Sequence, residues 1–216
     1  MASRSKHVAP RPTPRLYLVT PPVADASSFS TQLTAALDAG DVAAVLLRLA
    51  DADERTQINR VKALAALVQD KGAAILLDGH VELVARGGAD GAHLTSIAAF
   101  TEALERLKPE RIAGAGGLAT RHDAMLAAER DADYVMFGEP DAAGTRPAFT
   151  AVEDRVAWWA ELFEIPCVGY AASFDDIAPL IAAGADFIAL GDFIWRDPGA
   201  TISEAARLLP AREPAE

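Results

Sequence analysis

AGADFIALG, residues 183–191, reads as the end of a helix, a turn, an aspartate and then a short apolar run. The same order of features appears three more times, as AGDVAAVLL at 39–47, GGADGAHL at 87–94 and RDADYVMFG at 130–138. Between these lie four more apolar runs: LYLV at 16–19, AAILL at 73–77, RIAGAG at 111–116 and PCVGYA at 166–171. Each of the eight runs is followed by a segment of helical periodicity. Short β runs alternating with helices build βαβ units and a parallel sheet. Eight such units in so short a chain predict a closed (β/α)8 barrel rather than an open sheet.

The repeat falls on the second, fourth, sixth and eighth strands, so its period is two βα units. Alternate strands of such a barrel contribute to the same interior layers, and an even-strand repeat is the trace that geometry leaves. Gly40, Gly88 and Gly184 fit positions just past a helix end that need positive φ. Asp41, Asp90, Asp133 and Asp186 then lie at the N-terminal end of the strands, where a structural role is expected. Ser27–Ser28, Ser96, Thr120 and Ser173 are the expected helix caps. The barrel is expected over residues 15–210, preceded by a disordered tail over 1–14.

The chain has 216 residues, 51% hydrophobic and 6% aromatic, and carries a formal charge of −11. No strand or helix bears a basic stripe, so nucleic acid is excluded as a partner. No stretch approaches the roughly 18 apolar residues of a membrane span, and the proline-rich first residues have no apolar core of a secretory signal. A cytoplasmic location is expected. The single cysteine, Cys167, permits no internal disulfide and is expected to be a buried thiol. Trp158 and Trp159 are neighbours in EDRVAWWAELF; adjacent helical residues point about 100° apart, so one is left for a subunit interface in a homo-oligomer.

Catalytic groups of these barrels sit at the C-terminal ends of the strands. That rule selects Thr20, Arg48 with Asp51, Asp78 with His80, and His93 with Thr95. From later strands it selects Gly114 to Gly117, Gly138 with Glu139, Tyr170 to Ser173, and Gly191 to Arg196. An arginine leaving a strand at the mouth binds an anion or is paired internally, here by Asp51 or Asp78. His93 is a hydrogen-bonded core histidine or a proton-transfer group. His80 is exposed or caps a helix. Trp195 lids the mouth or lines a pocket for an aromatic ring. Backbone N–H groups of Ala171, Ala172 and Gly191 form either a phosphate cradle or a plain strand-to-helix turn. GAGGL at 114–118 lacks the spacing of a dinucleotide fingerprint.

In order along the chain, LYLVT (16–20), VLLRLAD (45–51), LLDGHVEL (76–83), GADGAHLTS (88–96), ADYVMFGEP (132–140) and AAGADFIAL (182–190) resemble the motifs of the thiamine phosphate synthases and their TenI-like relatives. The resemblance spans about residues 15 to 200. It implies a barrel joining a pyrimidine diphosphate to a thiazole phosphate, with magnesium meeting the charge of the departing diphosphate. Taken with the strand-end positions, it gives Arg48 and Asp78 as the expected catalytic residues, and His80, His93, Gly138, Ala171, Ala172 and Gly191 as the expected substrate-binding residues. Several family positions carry other residues. Leu46 stands for a glutamine, Ala50 for a lysine, Gly79 and Ala98 for two magnesium-binding aspartates, and Ser96 for a glutamine. Gly116–Gly117 stand where TenI-like members carry a histidine, the nearest here being His122. No metal ligand is therefore assigned, and impaired catalysis is expected. The alternatives are a non-catalytic barrel binding a thiamine-related or other phosphorylated small molecule, and another phosphate-handling barrel enzyme.

Overall fold

The computed structural model describes residues 12–211. The tail expected over 1–14 lies, for residues 1–11, outside the described residues. Eight parallel strands close in sequence order into a barrel: β1 (Arg15–Val19), β2 (Val42–Leu47), β3 (Ala74–Asp78), β4 (Gly91–Leu94), β5 (Ile112–Ala115), β6 (Tyr134–Phe137), β7 (Cys167–Ala171) and β8 (Phe187–Leu190). The helices that follow are α1 (Ala26–Asp38), α2 (Glu54–Gln69), α3 (Val81–Gly87) and α4 (Ile97–Leu107). The second half adds α5 (Arg121–Glu129), α6 (Phe149–Leu162), α7 (Ile177–Ala182) and α8 (Pro198–Leu208). Short 3₁₀ helices at Phe174–Asp176 and Asp192–Arg196 precede α7 and α8.

Strand side chains alternate between two buried environments, because successive Cβ atoms point to opposite faces of a sheet. Leu16, Leu18, Val45, Leu47, Ile75 and Leu77 face the helices. Tyr17, Val19, Leu46, Leu76, Tyr134, Met136 and Tyr170 fill the barrel interior. Both faces are covered, so the strands read as continuous apolar runs.

The two-unit repeat has a direct hydrogen-bonding cause. The carboxylates of Asp90, Asp133 and Asp186 accept the backbone N–H of Ile75 (2.8 Å), Ala113 (2.7 Å) and Cys167 (2.8 Å), at the start of the preceding odd strand. Asp41 instead holds the Arg15 guanidinium of β1 at 2.7 Å. Each aspartate thus ties an even strand to its neighbour at the N-terminal end, away from the mouth.

Several local expectations are corrected. Asp25, not Ser27–Ser28, caps α1, accepting the N–H of Ser27 (3.0 Å) and Ser28 (3.3 Å); its position one residue before the helix suits that role. Ser96 and Thr120 do cap α4 and α5, Thr120 in a reciprocal pair with Asp123, whereas Ser173 makes no side-chain capping bond. Gly88 and Gly184 have φ of 77° and 92°, but Gly40 is not left-handed; its constraint is space beside Ile202 and Leu16. Trp159 is fully buried against Phe137, while Trp158 is half-buried under the Arg121 guanidinium. Trp195 does not lid the mouth. The 3₁₀ helix after β8 turns its ring down onto Phe29 of α1, and its indole N–H donates to the Val19 carbonyl at 2.7 Å. Cys167 is buried.

Candidate active site at the barrel mouth

At the C-terminal ends of the strands a recess opens between Val19, Leu46, Met136, Pro140 and Tyr170, with Arg48, Asp78, His93, Thr95 and Glu139 as its polar groups. His93, buried at the end of β4, anchors the interior. Its Nδ1 lies 2.9 Å from the Tyr134 hydroxyl and its Nε2 lies 2.9 Å from Glu139 Oε2. The Tyr134 hydroxyl in turn meets that of Tyr17 at 2.9 Å. Glu139 closes the far end by accepting the Gly117 N–H on its other oxygen. A buried polar chain is stable when every member is satisfied, as here. Burial lowers the His93 pKa, but the charge and hydrogen bond of Glu139, with Asp78, outweigh it and hold the imidazole above its ordinary value. Both phenols are pushed up, chiefly by burial.

Gly116 and Gly117 make this arrangement possible. A Cβ on Gly116 would overlap Glu139 Oε1 and His93 Nε2, and one on Gly117 would overlap the Thr95 carbonyl. The absence of a side chain at Gly116 admits the Glu139 carboxylate to the imidazole.

Asp78 ends β3 and lines the same recess, and it makes no side-chain hydrogen bond or ion pair among the described residues. Burial raises its pKa, while the charges of His93 and Arg48 lower it. His80 lies at the margin, 3.5 Å from Glu82, in a left-handed turn with Gly79 that swings the chain into α3; it makes no capping bond.

Arg48 pairs with neither Asp51 nor Asp78. Its Nε donates to the Thr20 carbonyl and its Nη2 meets the Asp192 carboxylate, across 144 residues of sequence. The candidate phosphate cradle is also engaged. The Ala172 N–H donates to Asp176 Oδ2 at 2.7 Å, and the Gly191 N–H donates to the Ala171 carbonyl at 3.1 Å. Gly191 has no room for a Cβ beside the Tyr170 hydroxyl. The Gly138 carbonyl accepts from Arg146 Nε at 2.8 Å.

Arg146, a second cation at the mouth, had no sequence signal because it lies in the loop after β6. It also donates to the Tyr170 carbonyl at 3.1 Å, stacks over the Tyr170 ring and lies 3.9 Å from Asp176. Burial and the charge of Asp192 raise the Tyr170 phenol, against the lowering charges of Arg48 and Arg146. The role of Glu139 was visible only as an acid directly past a strand end.

A family model for thiamine monophosphate synthase matches residues 16–194. The chain belongs to the thiamine monophosphate synthase family. A thiamine-phosphate synthase of Rhodospirillum centenum is 40% identical over 195 residues, covering 89% of this chain and 94% of that protein. One from Hyphomonas neptunium is 37% identical over 194 residues, covering 86% and 88%. Among solved structures, thiamine phosphate pyrophosphorylase from Pyrococcus furiosus superposes with a TM-score of 0.69 at 20% identity, covering 89% of this chain and 93% of that one, a likeness of fold.

The family's chemistry implies magnesium, and the donors at the mouth do not make a resident site for it. Magnesium demands near-octahedral oxygen ligation. Gly79 carries no side-chain ligand, Glu139 is committed to His93 and Gly117, and Asp78 is left as one carboxylate. Among the described residues no group of three His, Cys, Asp or Glu side chains could hold a metal.

Proposed function

We propose that this member of the family acts in the cytoplasm in thiamine biosynthesis, joining hydroxymethylpyrimidine diphosphate to thiazole phosphate, with slow turnover. The observation that carries this reading is the polarity of the recess. Its walls are apolar, its inner acceptors are carboxylates and its rim holds two guanidinium groups. In this reading an aminopyrimidine ring lies against Leu46, Met136 and Tyr170 with its N–H donors turned to Asp78, which makes no side-chain hydrogen bond or ion pair among the described residues. Its diphosphate arm then reaches Arg48 and Arg146. When the carbon–oxygen bond to diphosphate breaks, negative charge grows at the rim, where cations stabilise it. The thiazole nitrogen supplies the electron pair for the new bond to carbon.

Turnover is slow in this reading because Leu46 and Ala50 offer no donors and each arginine carries a carboxylate partner. Binding without turnover is the second reading, and the Asp192–Arg48 pair favours it. No chemical step is assigned to a metal. Calorimetric titration with hydroxymethylpyrimidine diphosphate tests the ligand assignment. Replacing Arg48 by alanine is expected to weaken binding roughly tenfold or more, the scale of a lost charged hydrogen bond. Equal affinity in the wild type and Arg48→Ala would remove the rim from the reading.

A further inference from the structure

The two cations of the mouth share a feature that general anion binding does not require. Each guanidinium is anchored by neutral carbonyl oxygens, Arg48 by Thr20 and Arg146 by Gly138 and Tyr170. Each also faces one carboxylate from the loops after β7 and β8. Asp192 meets Arg48, and Asp176 stands 3.9 Å from Arg146 while taking the Ala172 N–H. The carbonyls hold the Nε of each arginine independently of the carboxylates. The carboxylates occupy the two places, beside a guanidinium and on a backbone N–H, where phosphate oxygens bind.

We propose that Asp192 and Asp176 are built-in counter-ions that a phosphorylated ligand must displace, and that they set which anions the mouth admits. This rests on the reading of the rim as a diphosphate site. A tethered carboxylate competes at high effective concentration. A weak, singly charged anion gains nothing by replacing it. A diphosphate brings more charge and more acceptor oxygens than a single carboxylate. Asp192 is 70% exposed and can swing into water. Asp176 is only 16% exposed and must release the Ala172 N–H to move, so its displacement costs more.

The test is titration of inorganic diphosphate and inorganic monophosphate into the full chain and into Asp192→Asn, Asp176→Asn and Arg48→Ala. The asparagine side chains keep an oxygen for Arg48 and for the Ala172 N–H, so the loops retain their bonds without the charge. Asp192→Asn is expected to bind diphosphate roughly fivefold to tenfold more tightly, the scale of removing one solvent-screened charge near the anion. Asp176→Asn is expected to move the same way by less, and monophosphate binding to rise in both. Unchanged or weaker diphosphate binding in both asparagine variants, with Arg48→Ala still losing it, would overturn the inference and make the carboxylates positioning groups. Diphosphate binding that Arg48→Ala leaves untouched would instead remove the anion site itself, and the inference with it.

Discussion

Trp159→Ala is expected to lower the thermal midpoint by roughly 8–16 °C, the equivalent of about 4 kcal/mol in a domain of this size. Trp159 is fully buried on the inner face of α6. Its ring stacks on Phe163 at a centroid distance of 4.0 Å and meets Phe137 of β6 edge-on at 5.9 Å. Its indole N–H donates to the Ile165 carbonyl at 2.8 Å, fixing the turn from α6 into β7. Truncation opens a cavity between helix and barrel and leaves that carbonyl without its donor. Trp158→Ala, by contrast, removes a half-buried ring and is expected to cost less than half as much. Similar losses in the two variants, measured by circular dichroism melts, would contradict the assignment of the inward face to Trp159.

Gly116→Ala is expected to cost roughly 2–4 kcal/mol and to abolish a loss of stability with rising pH. Overpacking a filled interior costs about 1–3 kcal/mol, and stranding a buried polar group costs a comparable amount. The added methyl would overlap both Glu139 and His93, so the carboxylate must leave the imidazole. The sign of the pH effect follows from His93, whose pKa is raised in the folded protein. A raised pKa contributes stability that is complete below the unfolded value, about 6.5 for histidine, and is lost as pH rises through the folded value. The wild type is therefore expected to lose stability from about pH 6.5 upward. In Gly116→Ala the imidazole loses Glu139 but keeps its burial, which lowers its pKa, so stability no longer falls as the pH rises. Denaturant titrations at several pH values measure both effects, and an unchanged slope in the variant would show that His93 and Glu139 are not coupled.

The parts legible in the sequence are those with local causes. Apolar runs set the strands because each is buried on both faces, and the aspartate repeat marked the N-terminal ends because each carboxylate holds a backbone N–H nearby. Local spacing was less reliable for caps: Asp25, not the expected Ser27–Ser28, caps α1. The mouth was legible as a set of positions and not as a set of partners. Arg48 found Asp192 rather than Asp78, and His93 found Glu139 and Tyr134, because these pairs are fixed by barrel closure between loops distant in sequence. Trp195 was misplaced for the same reason. Its distance past β8 suggested the mouth, but the direction of the 3₁₀ helix buries it on α1.

The most direct measurement is product formation. Purified protein incubated with hydroxymethylpyrimidine diphosphate and thiazole phosphate, with and without magnesium, is followed for thiamine phosphate by mass spectrometry. Slow formation that falls to background in Arg48→Ala is the expected result. Absence of product under every condition, or product formation that Arg48→Ala does not diminish, would contradict a synthase reaction at this mouth.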